Sequence, residues 1–141
     1  MNTINPYINF TGNCEEAFTF YKSVFGGEFT QVARFKEMPA GFQVSESEKE
    51  NLMHVGLPIS KETVLHGSDT PSQFAAGFTK GNNFSLTINT DSKDEADRLF
   101  NALSKGGQVS MPIAETFWGA YFGQFLDKFG IQWMISFEKH A

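Results

Sequence analysis

Two stretches of the chain alternate apolar and polar residues and then pass into an amphipathic segment. In residues 83–89, Phe84, Leu86 and Ile88 alternate with polar residues, which is the period-two pattern of a strand with one apolar face. Residues 4–10 alternate in a similar way. Each stretch therefore predicts a β-strand that leads directly into a helix.

The segment after residue 89 predicts a capped helix. Ser92 stands three residues before Glu95, which is the spacing of a capping box, and Gly106 and Gly107 stop the helix. Between these signals, apolar residues recur at i, i+3, i+4 and i+7, which is the spacing of one buried helix face. These residues are Ala96, Leu99, Phe100 and Leu103.

The capping and apolar landmarks occur 79 positions earlier in the chain, and the two glycines occur 80 positions earlier. Asn13 and Glu16 occupy the capping positions, and Gly26 and Gly27 end the segment. A shift that is constant across cap and apolar face, followed by a stop signal at nearly the same spacing, indicates two copies of one supersecondary unit. The buried face of this first helix is predicted to consist of Ala17, Phe20, Tyr21 and Val24.

Three more strands are predicted after each helix, which makes the fold class α+β with two βαβββ modules. The strands are residues 29–35, 52–59 and 63–69 in the first copy and residues 109–116, 117–126 and 131–137 in the second. The first module is predicted to span residues 1–69, a linker residues 70–81 and the second module residues 82–141. Together they are expected to form one domain.

Composition and charge narrow the classes of partner. The chain has 141 residues, a net charge of −5 and no basic run, so neither nucleic-acid binding nor anionic-membrane binding has electrostatic support. We therefore expect a small-molecule ligand. No apolar run reaches the roughly 18 residues of a membrane-spanning helix, and the N-terminus shows no charged-then-apolar signal segment. These features predict a cytoplasmic location.

Cys14 is the one cysteine, so an intramolecular disulfide framework is excluded. Its place in the first turn of a helix favours a thiolate. The lack of a histidine or a second cysteine beside it in the sequence favours a packing role instead. The acidic loop at residues 36–51 also has two interpretations, a lid over a ligand or a solvated loop.

Three segments of the sequence resemble one family, the PhnB-like branch of the vicinal oxygen chelate superfamily. They are GNCEEAFTFYKSVFGG, GNNFSLTINTDSKDEADRLFNALSKGG and TFWGAYFGQFLDKFGIQWMI. The branch is often labelled 3-demethylubiquinone-9 3-methyltransferase-like, and the superfamily also contains glyoxalase I, bleomycin-resistance proteins and extradiol dioxygenases. The resemblance implies the glyoxalase/bleomycin-resistance fold, an eight-stranded cup of two βαβββ modules with the helices outside, and it implies a homodimer.

The resemblance also places four divalent-metal ligands, on the first and last strand of each module. The corresponding residues are Asn5, His66, Asn83 and Met134. His66 is a good ligand, whereas an amide carbonyl binds a hard ion weakly and a thioether suits soft copper(I). We therefore expect no cofactor, with a divalent metal bound through His66 as the alternative.

Three residues are candidates for catalysis. His66 shares a strand face with Ser68, and His54 on the neighbouring strand can meet it as a base or hydrogen-bonding partner. Glu115 is a candidate base or ligand in the second module. The other interpretation of the histidines is a structural one, and surface ion pairing is the other interpretation of Glu115.

The ligand is expected to contact a polar floor and aromatic walls. Arg34 is a candidate for binding an anionic group, with surface ion pairing as its alternative. An aromatic dimer interface is the alternative role for the wall residues. The floor comprises Asn5, Tyr7, Asn9, Asn83, Ser85 and Thr87, the walls comprise Phe74, Phe78, Trp118, Tyr121 and Phe122, and Met134 lies among the ligand-binding candidates.

These observations favour a small-molecule-binding protein with a degenerate metal site and an undetermined reaction. One alternative is a divalent-metal lyase, isomerase or dioxygenase that uses His66 with His54 or Glu115. Another is sequestration of an intact ligand, as in drug resistance. The methyltransferase label lacks support, because no glycine-rich S-adenosylmethionine loop follows a buried parallel strand.

Overall fold

The computed structural model describes residues 2–39 and 43–139. The chain divides into two compact units, Met1–Lys80 and Gly81–Ala141. Each unit contains a four-stranded sheet and one α-helix. The predicted βαβββ order is confirmed in both halves.

The first unit forms its sheet in the strand order β1-β4-β3-β2. β1 and β4 are parallel and the other neighbours are antiparallel. Helix α1 packs against one face of this sheet, through contacts with β3 and β4. The elements are β1 (Tyr7–Phe10), α1 (Cys14–Phe25), β2 (Gln31–Arg34), β3 (Leu52–Pro58) and β4 (Val64–Asp69).

The second unit repeats this arrangement in the order β5-β8-β7-β6, with β5 and β8 parallel. The predicted strand at residues 117–126 is shorter than expected, because residues 117–119 belong to the turn before β7. The elements are β5 (Leu86–Asn89), α2 (Lys93–Ser104), β6 (Gln108–Glu115), β7 (Ala120–Leu126) and β8 (Gln132–Glu138).

The capping prediction is confirmed for α2 and wrong for α1. Ser92 Oγ accepts a hydrogen bond of 3.1 Å from the amide of Glu95. The Asn13 side chain makes no capping hydrogen bond. Asp69 supplies the oxygen instead, since its Oδ1 accepts bonds from the amides of Gly12 (2.8 Å) and Cys14 (2.9 Å).

The buried face of α1 also differs from the prediction. Phe18 is fully buried, whereas Phe20 is only half-buried. The Phe18 ring occupies the space above Gly67 of β4, where any Cβ would overlap it. The apolar face therefore runs through Phe18, and the equivalent face of α2 is buried as predicted.

The loop at residues 36–51 contains a 3₁₀ helix at Glu46–Glu48. The Glu48 carboxylate accepts bonds from the amide of Ser72 (2.7 Å) and from its hydroxyl (2.9 Å). Ser72 begins a second 3₁₀ helix, Ser72–Gly77, within the predicted linker. Within the described residues, neither α-helix nor any shorter helix is long and apolar enough to cross a membrane.

Candidate functional site

Two histidines meet on the face of the first sheet opposite α1. His54 Nε2 lies 3.0 Å from His66 Nδ1, which is a hydrogen-bond distance. Both side chains are half-buried. β3 and β4 are antiparallel neighbours, and this pairing brings the two rings together as the sequence predicted.

The two imidazoles are joined edge to edge. Their ring centres are 5.2 Å apart and their planes differ by 22°. If the two rings lie end to end, their centres are separated by the 3.0 Å nitrogen–nitrogen distance plus one ring radius on each side. The observed separation is close to that sum. The shared hydrogen bond consequently lies near the plane of both rings, which is its favourable geometry.

Tyr7 of β1 adds a third ring to this cluster. Its centre is 5.9 Å from those of His54 and His66, and its plane is within 16° of both. Tyr7 is the direct strand partner of His66 in the parallel β1–β4 pair. Because Tyr7 is 51% exposed, one side of the cluster offers an accessible aromatic surface.

Polar groups extend the cluster along β1 and β4. Ser68 Oγ donates a hydrogen bond of 3.2 Å to Asn9 Oδ1, which orients the Asn9 amide. Among the described residues, no hydrogen bond is made by Tyr7 Oη, Asn9 Nδ2, His54 Nδ1 or His66 Nε2. We call Tyr7, Asn9, His54, His66 and Ser68 the histidine face.

His54 is uncharged near pH 7. Burial lowers the pKa of His54 below its ordinary value of 6.5, and the neighbouring His66 lowers it further. A neutral imidazole carries one N–H donor and one bare nitrogen acceptor. Neutral His54 can therefore donate one hydrogen bond and accept another without carrying a charge.

The four positions that the resemblance assigns to metal ligands do not suit a divalent ion. Asn5 Oδ1 already accepts the amide of Val64 at 2.9 Å, and Met134 Sδ accepts the Thr87 hydroxyl at 3.6 Å. This donor set contains one imidazole and no carboxylate. In the part of the chain that the structure describes, no three His, Cys, Asp or Glu side chains form a group able to hold a metal ion.

Arg34 lies on the helix side of the first sheet, away from the histidine face. Its guanidinium forms two hydrogen bonds of 2.9 and 2.8 Å to the two carboxylate oxygens of Glu15 on α1. This bidentate pair lowers the pKa of Glu15. The β2–β3 register shifts between Ala33 and Arg34, which changes the face that Arg34 occupies. Its geometry supports ion pairing over ligand binding.

Glu115 occupies a similar position in the second unit. Its carboxylate pairs with Lys93 at the start of α2, and Lys93 also lies over the Tyr121 ring at 5.1 Å. The hydroxyl of Tyr121 donates to Asp97 at 2.6 Å, which raises the pKa of Tyr121. These contacts place Glu115 and Tyr121 on the helix side of the second sheet, and they support ion pairing as the role of Glu115.

The other candidates in the second unit are more dispersed. Asn83 is exposed and Ser85 half-buried, and both precede β5. Trp118 is 53% exposed in the β6–β7 turn, edge-on to Phe117 and Phe122. Within this unit, no contact joins these side chains into a cluster like the histidine face.

Cys14 has a packing role. It is fully buried, and burial raises the pKa of its thiol, with a further rise from the negative charges of Asp69 and Glu15. Asp69 had no signal in the sequence, because its partners lie 17 to 57 positions away. For Ser68 and Asn9, the alternation of side chains along a strand was the only sequence feature that indicated which sheet face they occupy.

Comparison with known proteins places this chain among relatives that match nearly its whole length. The family model described as 3-demethylubiquinone-9 3-methyltransferase matches residues 2–136. Protein YjdN from Escherichia coli (strain K12) is 31% identical over 144 residues, which cover 96% of this chain and 95% of that protein.

Solved structures show the same fold. The crystal structure of protein PA1353 from Pseudomonas aeruginosa has a TM-score of 0.84 and 37% identity, covering 99% of this chain and 100% of that one. A member of the glyoxalase/bleomycin resistance protein/dioxygenase superfamily from Sphaerobacter thermophilus DSM 20745 has a TM-score of 0.64 and 20% identity, covering 98% of each chain. The expected glyoxalase/bleomycin-resistance fold is thereby confirmed.

Proposed function

We propose that this chain, which belongs to the family described as 3-demethylubiquinone-9 3-methyltransferase, is a small-molecule-binding protein whose ligand lies on the histidine face. The observation that carries this proposal is the cluster itself. Two hydrogen-bonded imidazoles stand beside a half-exposed tyrosine ring, on the sheet face opposite α1. Polar groups that converge beside an apolar surface are typical of ligand sites.

The chemistry of the cluster favours a flat, uncharged ligand. A conjugated ring stacks on Tyr7 without a large ordering cost, since aromatic side chains are rigid. Four polar groups of the histidine face have no hydrogen-bond partner among the described residues, and a ligand with carbonyl or hydroxyl groups would supply one. The guanidinium of Arg34 is already hydrogen-bonded to the carboxylate of Glu15. It is therefore not free to bind an anionic group of a ligand on the histidine face.

The turns that lead into the helices argue against S-adenosylmethionine as a cofactor. Nucleotide-like cofactors bind where strand-to-helix turns offer unpaired amides. In this chain the amides of Gly12 and Cys14 are taken by Asp69, and the amide of Glu95 is taken by Ser92. We therefore propose a function without methyl transfer.

We also propose that the protein acts without a metal ion, as a homodimer, in the cytoplasm. The poor ligand chemistry of Asn5 and Met134 supports the first point. The edge strand β6 exposes apolar residues such as Val109 and Met111. A second copy of the chain would cover them, which supports the homodimer. The buried free thiol of Cys14 supports a reducing compartment.

Nuclear magnetic resonance tests this function. A set of flat, uncharged carbonyl compounds is titrated into nitrogen-15-labelled protein in the presence of EDTA. We expect at least one compound to shift the amide signals of Tyr7, Asn9 and His66, and we expect His66→Ala to weaken its binding. Val32→Ala, an exposed change on β2, is the control that retains binding.

Two outcomes would contradict this function. If the same compounds bind only after zinc or nickel replaces EDTA, the protein is a metal-dependent member of its superfamily. If every compound leaves the histidine face unchanged, the ligand site lies elsewhere in the chain.

A further inference from the structure

We propose that the histidine face also performs metal-free proton transfer, in which His66 removes a proton from a flat, uncharged carbonyl compound and His54 relays a proton to solvent. This activity rests on the proposed binding function, because the compound must first lie against Tyr7. Proton transfer by a positioned group needs a base, a partner that orients the base, and donors for the developing negative charge. The histidine face contains all three.

The base and its partner are coupled through their shared hydrogen bond. A neutral imidazole carries one N–H, so a hydrogen on His66 Nδ1 leaves His66 Nε2 bare. That hydrogen is accepted by His54 Nε2, and His54 must then carry its own hydrogen on Nδ1. The near-planar geometry allows the shared hydrogen to cross between the rings. A proton taken up at one end of the pair can therefore leave from the other end.

His66 is the member of the pair that faces the substrate. Tyr7 and His66 are direct partners in the β1–β4 register, so a ring stacked on Tyr7 lies beside His66. His54 lies on the next strand, β3, beyond His66.

Donors for the developing charge lie on β1. Loss of a proton beside a carbonyl group places negative charge on the carbonyl oxygen. Tyr7 Oη and Asn9 Nδ2 are donors without a partner among the described residues, and Ser68 holds the Asn9 amide by its oxygen. Preoriented donors of this kind stabilise an enolate more than the neutral ketone.

The proton steps balance without an oxidant or a reductant. The C–H bond beside the carbonyl breaks, its electron pair enters the enolate, and the proton binds to His66 Nε2. The hydrogen on His66 Nδ1 moves to His54 Nε2, and the hydrogen on His54 Nδ1 passes to water. The reverse path returns a proton to the same carbon, which is exchange, or to another atom of the enolate, which is isomerisation.

Acetylacetone tests the activity, because it is uncharged and its enol is flat and conjugated. The readout is the rate at which its methylene protons exchange with D₂O, in the presence of EDTA. We expect the protein to exceed an equal concentration of free imidazole by about a hundredfold, the lower range for general base catalysis. His66→Gln and His54→Gln should each lose at least about tenfold, whereas His140→Gln, the third histidine, should lose nothing.

Nitrogen-15 spectra of the imidazoles provide a second test that needs no substrate. In a coupled pair, both rings carry their hydrogen on the same nitrogen type, both on Nδ1 or both on Nε2. We expect both rings to carry their hydrogen on Nδ1 in the wild type, because His66 Nε2 must be bare to act as the base. Opposite tautomers in the two rings, or both hydrogens on Nε2, would overturn the relay, whatever the variants show.

The exchange assay separates this activity from binding. Acetylacetone that shifts the Tyr7 and His66 signals without faster exchange would overturn proton transfer and leave the binding function standing. Acetylacetone that neither binds nor exchanges would overturn proton transfer, and the wider compound set then decides the binding function. Two further results would overturn the relay. One is exchange that stays fast in both histidine variants, and the other is exchange that is fast only when EDTA is omitted.

Discussion

Asp69, the last residue of β4, accepts a hydrogen bond of 2.9 Å from the amide of Cys14, the first residue of α1. Its carboxylate also accepts the amides of Gly12 at 2.8 Å and Leu52 at 2.9 Å. One side chain, 3% exposed, thus joins the helix start to β3 and β4. β4 carries His66, so this junction also supports the strand on which the site depends.

Replacing Asp69 with alanine should destabilise the protein strongly. Three amides, two of them in buried hydrogen bonds, would lose their acceptor, and the helix would lose its N-terminal cap, so we expect a loss of about 3 to 5 kcal/mol. Urea unfolding measures the change. Asp91→Ala, at an exposed position before α2, is the control and should stay within about 0.5 kcal/mol. A loss below about 1 kcal/mol for Asp69→Ala would show that the junction is dispensable.

Phe18 and Phe20 give a matched pair on one helix. Phe18→Ala should cost about 3 to 5 kcal/mol, since its fully buried ring fills the space above Gly67. Phe20→Ala should cost clearly less, because part of that side chain already meets solvent. Chemical unfolding of both variants ranks them. An equal loss, or the reverse order, would contradict the packing of α1.

His54 should make stability depend on pH in mildly acidic solution. Its pKa is below 6.5 in the folded protein, so below that pH the unfolded chain binds more protons. The stability from the neutral ring is full above 6.5 and is lost as the pH falls through the folded pKa. Unfolding midpoints measured from about pH 8 to pH 5 should fall less steeply in His54→Gln than in the wild type. A steeper fall in the variant would reverse the assigned direction.

The local parts of the fold could be predicted from the sequence. The cap at Ser92 and the buried face of α2 depend on residues three or four positions apart, and both are confirmed. The meeting of His54 and His66 followed from strand parity on neighbouring strands. These features depend on the spacing of apolar and polar residues along the chain, which can be read from the sequence alone.

The remaining features depend on contacts between distant residues. The cap of α1 is the carboxylate of Asp69, at the end of β4, and not the predicted side chain of Asn13. The faces of Arg34 and Glu115 depend on register shifts in β2–β3 and β6–β7. A single extra residue in one strand moves the side chains that follow it to the opposite face of the sheet. No local sequence pattern indicates where such a residue occurs.

Metal addition to the stripped protein tests the central claim, that the histidine face binds its ligand without a metal ion. The melting temperature is measured after treatment with a chelator and again with excess zinc or nickel, for the wild type and His66→Ala. Bound metal would stabilise the folded state by about 2.7 kcal/mol at a concentration a hundred times its dissociation constant, a shift of several degrees. We predict no shift in either protein. A shift of several degrees in the wild type that vanishes in His66→Ala would contradict the account and identify a metal site.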